Sequence, residues 1–414
     1  MNSRMRIERC TFVKQSRLAG FFLCLSVIGA CSEAPILQTN LHLKQAIDAE
    51  QKALISKALP LYQKAAAAGE PEAVAAVLRL SQGRTSIKEQ AQWLQSLPLS
   101  KIELQPFFVQ LGLWQHLERE EAHRVQQQLL EGRFPELKQV KDLSLTTPAR
   151  QQCALTIQPV LSTLKSASQW QQLSQAWQQD RQLSSLAICF SNPVFVDSLI
   201  LSCSELQGTR IHCDSEAIKQ VIQKTNATQV LVIAGKGGAS YNNGWLQLPE
   251  TATLPLLRHE LSHIFGFIDE YPLSSDIAVS ECQAGRLTPN LLFSIEDLPA
   301  YLARWQLSAD DIELTAVNSC QHASIQAYRV VRVDSHLQHY ELAMPDLYLQ
   351  LMQKQLQHPE QLMPVAYYFA YLARQEQDWQ AWTLWMQQAA KAGYPPAQEA
   401  LAAAATSSGK QSAR

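Results

Sequence analysis

Thr253-Leu254-Pro255-Leu256-Leu257-Arg258-His259-Glu260-Leu261-Ser262-His263-Ile264-Phe265-Gly266-Phe267-Ile268-Asp269-Glu270-Tyr271 combines a helix start, two histidines one turn apart and a glycine stop. Thr253 and Pro255 suit the first positions of a helix, and Leu256, Leu257, Leu261 and Ile264 give it apolar faces for a core. His259 and His263 are four residues apart, so on a helix both imidazoles leave the same face and can meet one Zn2+. Glu260, beside the first histidine, can take the proton of an activated water without being a ligand itself. Gly266 can adopt the left-handed conformation that ends a helix and turns the chain back. Asp269 is then placed to offer an oxygen as third ligand, with a fourth position left for water.

The pattern HExxHxxGxxD resembles the metzincin clan of zinc peptidases, whose third ligand is usually His and in some families Asp. Helix, turn and Asp269-Glu270-Tyr271 also resemble the bacterial immunoglobulin-A peptidase family, in which the Asp sits one residue further from the helix. The resemblance implies a zincin-like mixed α/β catalytic domain, one catalytic Zn2+ on His259, His263 and Asp269, Glu260 as general base, and hydrolysis of peptide bonds. It also implies a Met beneath the metal ahead of a C-terminal helix. Met344 fits that place, before the helical pattern of Leu347 to Leu356, and Tyr348 would then be able to reach a substrate oxyanion. The clan keeps an edge strand for extended peptide just before the active helix; Gly237 to Leu248 occupies that position, with Trp245 either lining the cleft or packing in the core. Two other carboxylates compete as third ligand. Glu270 is adjacent, and Glu281 lies near the spacing of gluzincins, whose third ligand is a Glu on a later helix, although that scheme gives Gly266 no task.

At 414 residues, with 46% apolar and 17% charged side chains, the chain has material for two or three folded units and is not disordered. A net charge of −2 lacks the basic footprint of a nucleic-acid binder. Arg4, Arg6, Arg9, Lys14 and Arg17 precede an apolar run from Leu18 to Ile28 that is too short for a stable membrane anchor and suits a signal peptide. Ile28-Gly29-Ala30-Cys31 resembles the bacterial lipobox, which implies lipidation of Cys31; Ser32 behind it implies sorting to the outer membrane of a Gram-negative bacterium, facing the periplasm or the cell surface. Removal of residues 1–30, which carry a net +4, would leave about −6 on the mature chain.

Cys153, Cys189, Cys203, Cys213, Cys282 and Cys320 then remain, an even set in an exported protein, which reads as three disulfides. Neighbours in sequence are the expected partners: Cys153–Cys189, Cys203–Cys213 and Cys282–Cys320. No pair has the CxxC spacing of a zinc ribbon or a thioredoxin-like site.

Residues 40–145 carry Ala and Leu at helical spacing. Within them, Leu61 to Ala73, with Gly69 and Pro71, has a counterpart in Trp385 to Ala397, with Gly393 and Pro395. Both segments resemble the helix–turn–helix of Sel-like tetratricopeptide repeats, where glycine ends one helix and proline opens the next. Between them, Leu155–Val160, a helix around Gln169–Asp180 and Ala187–Val196 give a β-α-β order. A hairpin around Gln207-Gly208, a helix from Ser215 to Lys224 and a buried strand at Gln229–Ala234 follow.

The expected fold class is α+β: signal peptide 1–30, N-terminal helical region 31–147, zincin-like domain 148–358, C-terminal helical repeat 359–405 and tail 406–414. The expected function is a lipid-anchored envelope zinc metallopeptidase acting on a peptide or protein, with the repeats recruiting a protein partner or restricting the cleft. The alternatives are an envelope scaffold lipoprotein with an inactive or structural zincin domain, and a zinc amidase acting on peptidoglycan peptides.

Overall fold

The computed structural model describes residues 34–131, 153–205, 208–225 and 227–411, so the signal segment and Cys31 lie outside the described residues. The fold is α+β. Its helices begin with α1 (Ala34–Gln51), α2 (Ile55–Ala67), α3 (Pro71–Leu80), α4 (Ile87–Gln95), α5 (Lys101–Leu111) and α6 (Arg119–Leu130). Gly69, at φ +93°, closes α2 and Pro71 opens α3, so the small side chains of Ala65, Ala66 and Ala73 are buried where the two helices meet. Glu50 of α1 accepts from the Tyr62 hydroxyl at 2.7 Å and pairs with Arg79 at 2.6 Å, which ties three helices together. Burial, aided by that carboxylate, pushes the Tyr62 hydroxyl up to about 12. Ser86 with Glu89 and Ser100 with Glu103 form capping boxes that start α4 and α5.

The central part runs β1 (Leu155–Leu161), α7 (Leu164–Gln179), β2 (Ile188–Phe190), β3 (Val194–Phe195), α8 (Ser198–Leu201), α9 (Ser215–Lys224), β4 (Gln229–Ile233), β5 (Ser240–Asn242), β6 (Trp245–Leu248) and α10 (Leu254–Ser262). It continues with α11 (Ser275–Glu281), β7 (Leu291–Leu292), α12 (Leu298–Trp305), β8 (Thr315–Val317), β9 (Ala327–Arg329) and α13 (Asp346–Gln355). The chain ends in α14 (Val365–Gln375), α15 (Trp379–Lys391) and α16 (Pro395–Gln411). The main sheet has the order β2-β1-β4-β6-β5, with β3 pairing the far end of β1; all pairings are parallel except β5 against β6. A small antiparallel sheet, β7-β9-β8, stands apart from it.

Alternation along the strands divides two cores. Ile157, Leu231, Ile233, Leu246 and Leu248 face the core that α7, α10 and α13 complete with Trp170, Leu173, Leu257, Leu261 and Leu351. Val160, Val230, Val232 and Trp245 face the opposite way, into a core shared with Ile218 and Ile222 of α9, Phe369 of α14 and Trp385 of α15. Every residue of β4 and β6 is buried, as a sheet covered on both faces requires. The second core runs continuously across residue 358, since the C-terminal helices form half of its cover. Gly244, at φ +90°, lets β6 approach them: a Cβ there would stand 2.7 Å from the Val365 nitrogen.

The three disulfides join the expected partners, Cys153–Cys189, Cys203–Cys213 and Cys282–Cys320. Gln207 of the expected hairpin lies outside the described residues, and among the described ones Leu199–Cys203 and Thr209–Cys213 do not pair as strands. Leu199 to Leu201 lie in α8, whose start is capped by the Asp197 side chain accepting from Leu199 at 2.9 Å, and Arg210 forms only a single bridge to Gly238. The helix expected from Gln169 begins earlier, because Thr163 and Ser166 cap each other at its first turn. Among the described residues no helix is long and apolar enough to cross a membrane.

Candidate metal centre

The sequence builds this centre from a buried helix and a sharp return. Thr253 caps α10, and Leu257 and Leu261 are buried beneath it, each contributing about 2 kcal/mol of apolar burial. A 3-10 turn over His263–Phe265 leads to Gly266 at φ +75°. The nearest atom to a Cβ there would be 4.0 Å away, so glycine serves the dihedral angle and not the space. The returning chain is held by Asn290, whose amide donates to the Ile268 carbonyl at 2.7 Å while its oxygen accepts from the Ile268 nitrogen at 2.9 Å.

His259, His263 and Asp269 converge: one ligand atom from each lies within 4.8 Å of the others. Asp269 Oδ1 is 3.2 Å from His259 Nε2 and 3.4 Å from His263 Nε2. The two rings stand at 90° with centroids 5.1 Å apart. Each Nδ1 faces a main-chain carbonyl, His336 at 2.8 Å for His259 and Phe267 at 2.9 Å for His263. A carbonyl only accepts, so both Nδ1 atoms carry a proton, and in the neutral rings both Nε2 atoms present lone pairs to the carboxylate.

Three electron-rich atoms at these distances repel unless something positive lies between them. Asp269 Oδ1 is moreover buried with no hydrogen-bond partner, which is costly for a carboxylate oxygen. A cation at this point satisfies all three, so the residues present fit a metal ion. A proton on His259 is the alternative positive charge at this point, and the electrostatics of the side chains alone favour it. Burial opposes charge on His259 most strongly, yet the bond and charge of Asp269 outweigh it and hold the imidazole above its ordinary value. Burial likewise acts against an ionised Asp269, but His263, His259 and the Tyr271 hydroxyl together bring its pKa down to about 2.

Glu260 is buried at the floor of a cleft of about 620 Å³ that also contains the three candidate ligands. No described residue hydrogen-bonds to its carboxylate, and burial, the largest influence, raises its pKa despite the adjacent histidines. A carboxylate that is desolvated, unpartnered and beside two metal-ligand candidates is suited to proton transfer. Tyr241 of the edge strand β5 lies over His263 with ring centroids 6.0 Å apart, and Tyr394 of the C-terminal helices lines the far side. Among the described residues, a larger hollow of about 960 Å³ between α6 and α9 gathers no comparable set of ligands.

The rival third ligands point elsewhere. Glu270 is fully buried and accepts from Tyr348 at 2.6 Å, Ser335 at 2.8 Å and Asn290 at 3.1 Å, which fastens the returning loop to α13. Glu281 borders the cleft but pairs with Arg286 at 2.7 Å. Tyr348 therefore cannot serve a substrate: it is fully buried, and its hydroxyl is spent on Glu270. Met344 is buried in the main core, with its carbonyl accepting from Gln182 at 3.1 Å, and does not line the cleft. Trp245 packs in the second core against Phe369.

Sequence reasoning missed His336, Tyr271 and Arg210. The His336 ring is fully buried, 2.8 Å from the Ser262 hydroxyl, which also lies 2.9 Å from the Arg258 carbonyl. One hydroxyl proton cannot serve both, so Ser262 donates to the carbonyl and His336 Nε2–H donates to Ser262. That leaves the unpartnered Nδ1 of His336 as a bare lone pair. Only Tyr271, two residues beyond Asp269, had a local signal. No protein-family model matches the chain, and no curated protein matches it either.

Proposed function

We propose that this chain is a zinc-dependent peptide hydrolase of metzincin-like type, exported and held in the cell envelope by a lipid on Cys31. The observation that carries the reading is the convergence of two Nε2 lone pairs on the unpartnered Asp269 Oδ1, with the free Glu260 carboxylate in the same cleft. His259, His263 and Asp269 would hold Zn2+, which when bound supplies Lewis acidity toward a carbonyl and a lowered water pKa. Glu260 takes the proton of the attacking water and passes it to the leaving amine, burial raising its pKa above that of an exposed carboxylate. The Nδ1 bonds to the His336 and Phe267 carbonyls keep both imidazoles in one tautomer and one orientation. Among the described residues β5 pairs only with β6, and it borders the cleft, so its other edge can take an extended peptide as an added strand. Tyr394 and the segment at Met363 restrict the cleft on the side of the C-terminal helices.

A scaffold role draws on one specific feature, the exposed Tyr371, Trp379 and Leu384 along α14 and α15. It gives Glu260 no task. The deciding experiment is metal analysis of the mature protein beside Glu260→Gln, with both assayed on an unbiased peptide library. The hydrolase reading expects equal zinc in both and cleavage by the wild type only. Equal zinc with no cleavage by either would favour the scaffold.

A further inference from the structure

The loop closed by Cys203–Cys213 is stitched to the strand leading into β5. Gly238 N donates to the Thr209 carbonyl at 2.8 Å, Ile211 N donates to the Gly238 carbonyl at 2.8 Å, and the Ser240 hydroxyl donates to the Ile211 carbonyl at 3.0 Å. These bonds fix the main chain on both sides of Arg210, whose exposed side chain lines the same cleft as Glu260 and Asp269. Its positive charge is felt at both Glu260 and Tyr271.

The cleft holds a second arginine, and the contrast is informative. Arg286 is committed, 2.7 Å from the Glu281 carboxylate and 3.2 Å from the Glu281 carbonyl. Arg210 has no carboxylate partner among the described residues. The remaining charges balance without it: Asp269 and Glu260 offset a divalent cation, and Arg286 offsets Glu281. Arg210 is therefore a surplus guanidinium on an anchored loop beside the reacting centre. Its flat fork matches a carboxylate in shape and charge.

We propose that Arg210 is a specificity-determining residue that receives a carboxylate of the substrate, either an acidic side chain or a free C-terminus near the scissile bond. The inference rests on the peptide-hydrolase reading above and names the substrate class for the same cleft.

The test uses zinc-loaded mature protein carrying Glu260→Gln, so that binding is read without turnover. Three fluorescent peptides of one length are compared by anisotropy: one with an internal Glu and an amidated C-terminus, one neutral with a free C-terminus, and one neutral and amidated. The proposal expects one of the first two to bind at least about ten-fold more tightly than the third, the winner identifying the carboxylate. Arg210→Gln should abolish that preference, and Arg210→Glu should reverse it toward the neutral, amidated peptide, with zinc content and circular dichroism unchanged. Equal binding of all three, or a preference that survives Arg210→Gln, overturns the proposal. An Arg210-dependent preference in a protein whose wild type cleaves nothing upholds the carboxylate site and removes the hydrolase reading. Equal cleavage of all three peptides by wild type and Arg210→Gln does the reverse.

Discussion

The imidazole of His259 and the main-chain carbonyl of His336 are joined by a 2.8 Å hydrogen bond, although 77 residues separate them in sequence. The His336 ring behind that carbonyl is buried, and burial with the charge of Arg258 brings its pKa down to about 2. The folded chain thus holds this ring neutral, whereas the unfolded chain protonates it below about 6.5. Stability from this group is complete above that pH and falls as the pH drops, by roughly 1.4 kcal/mol per unit, or about 2 kcal/mol at pH 5. Urea unfolding of chelator-treated protein between pH 8 and 5 should show a shallower slope for His336→Gln than for wild type. Identical slopes would mean that the ring is hydrated in the folded state.

The third ligand can be decided by metal content. Asp269→Ala should lose zinc after dialysis, because two imidazoles without the carboxylate leave the ion under-coordinated. Glu281→Ala should keep it, since that side chain is occupied by Arg286. Zinc lost from the Glu281 variant and kept by the Asp269 variant would transfer the role.

Tyr271 directs its hydroxyl at the Asp269 carboxylate and helps keep it ionised. Tyr271→Phe removes that support without opening a cavity. Zinc affinity should fall roughly 10- to 100-fold, measured by competition with a chelator of known affinity. Unchanged affinity would show that Asp269 is oriented without it.

Two glycines offer a contrast in mechanism. Gly266→Ala meets open space and incurs only the left-handed backbone, about 1 kcal/mol. Gly244→Ala places a Cβ 2.7 Å from the Val365 nitrogen as well, so it should cost several-fold more and loosen α14 from the sheet. Thermal unfolding of the two variants would rank them; equal losses would show that the contact at Val365 yields.

The centre was legible where it is local. His259, Glu260, His263, Gly266 and Asp269 fall within one helix and one turn, and periodicity with glycine chemistry is enough to bring them together. The helix Ser215–Lys224 and the strand at Gln229 were equally plain, one amphipathic and the other a short β-branched run. The partners that hold the ligands are remote. Asn290, Ser335 and His336 reach the returning loop only through tertiary packing, and Glu270 looked like a ligand because nothing near it in sequence announces Tyr348. The hairpin was misread because Asp197 starts a helix that the apolar Leu199–Leu201 alone does not suggest. Tyr348 was placed by family pattern, and its burial against Glu270 takes it away from any substrate, whereas Met344 lies buried in the core beneath α10 and ahead of α13.

The Asn242 side chain of the edge strand donates to the Tyr368 hydroxyl of α14 at 2.7 Å, and the same helical layer sends Tyr394 into the cleft. The C-terminal helices α14 to α16 are consequently no detachable appendage. Trimming the chain after residue 358 would strip the hydrophobic underside of β1, β4 and β6 and unroof the groove at once. Conversely, Tyr394 belongs to that second core and to the cleft wall alike, so a change in the packing of α15 and α16 is transmitted directly to the groove.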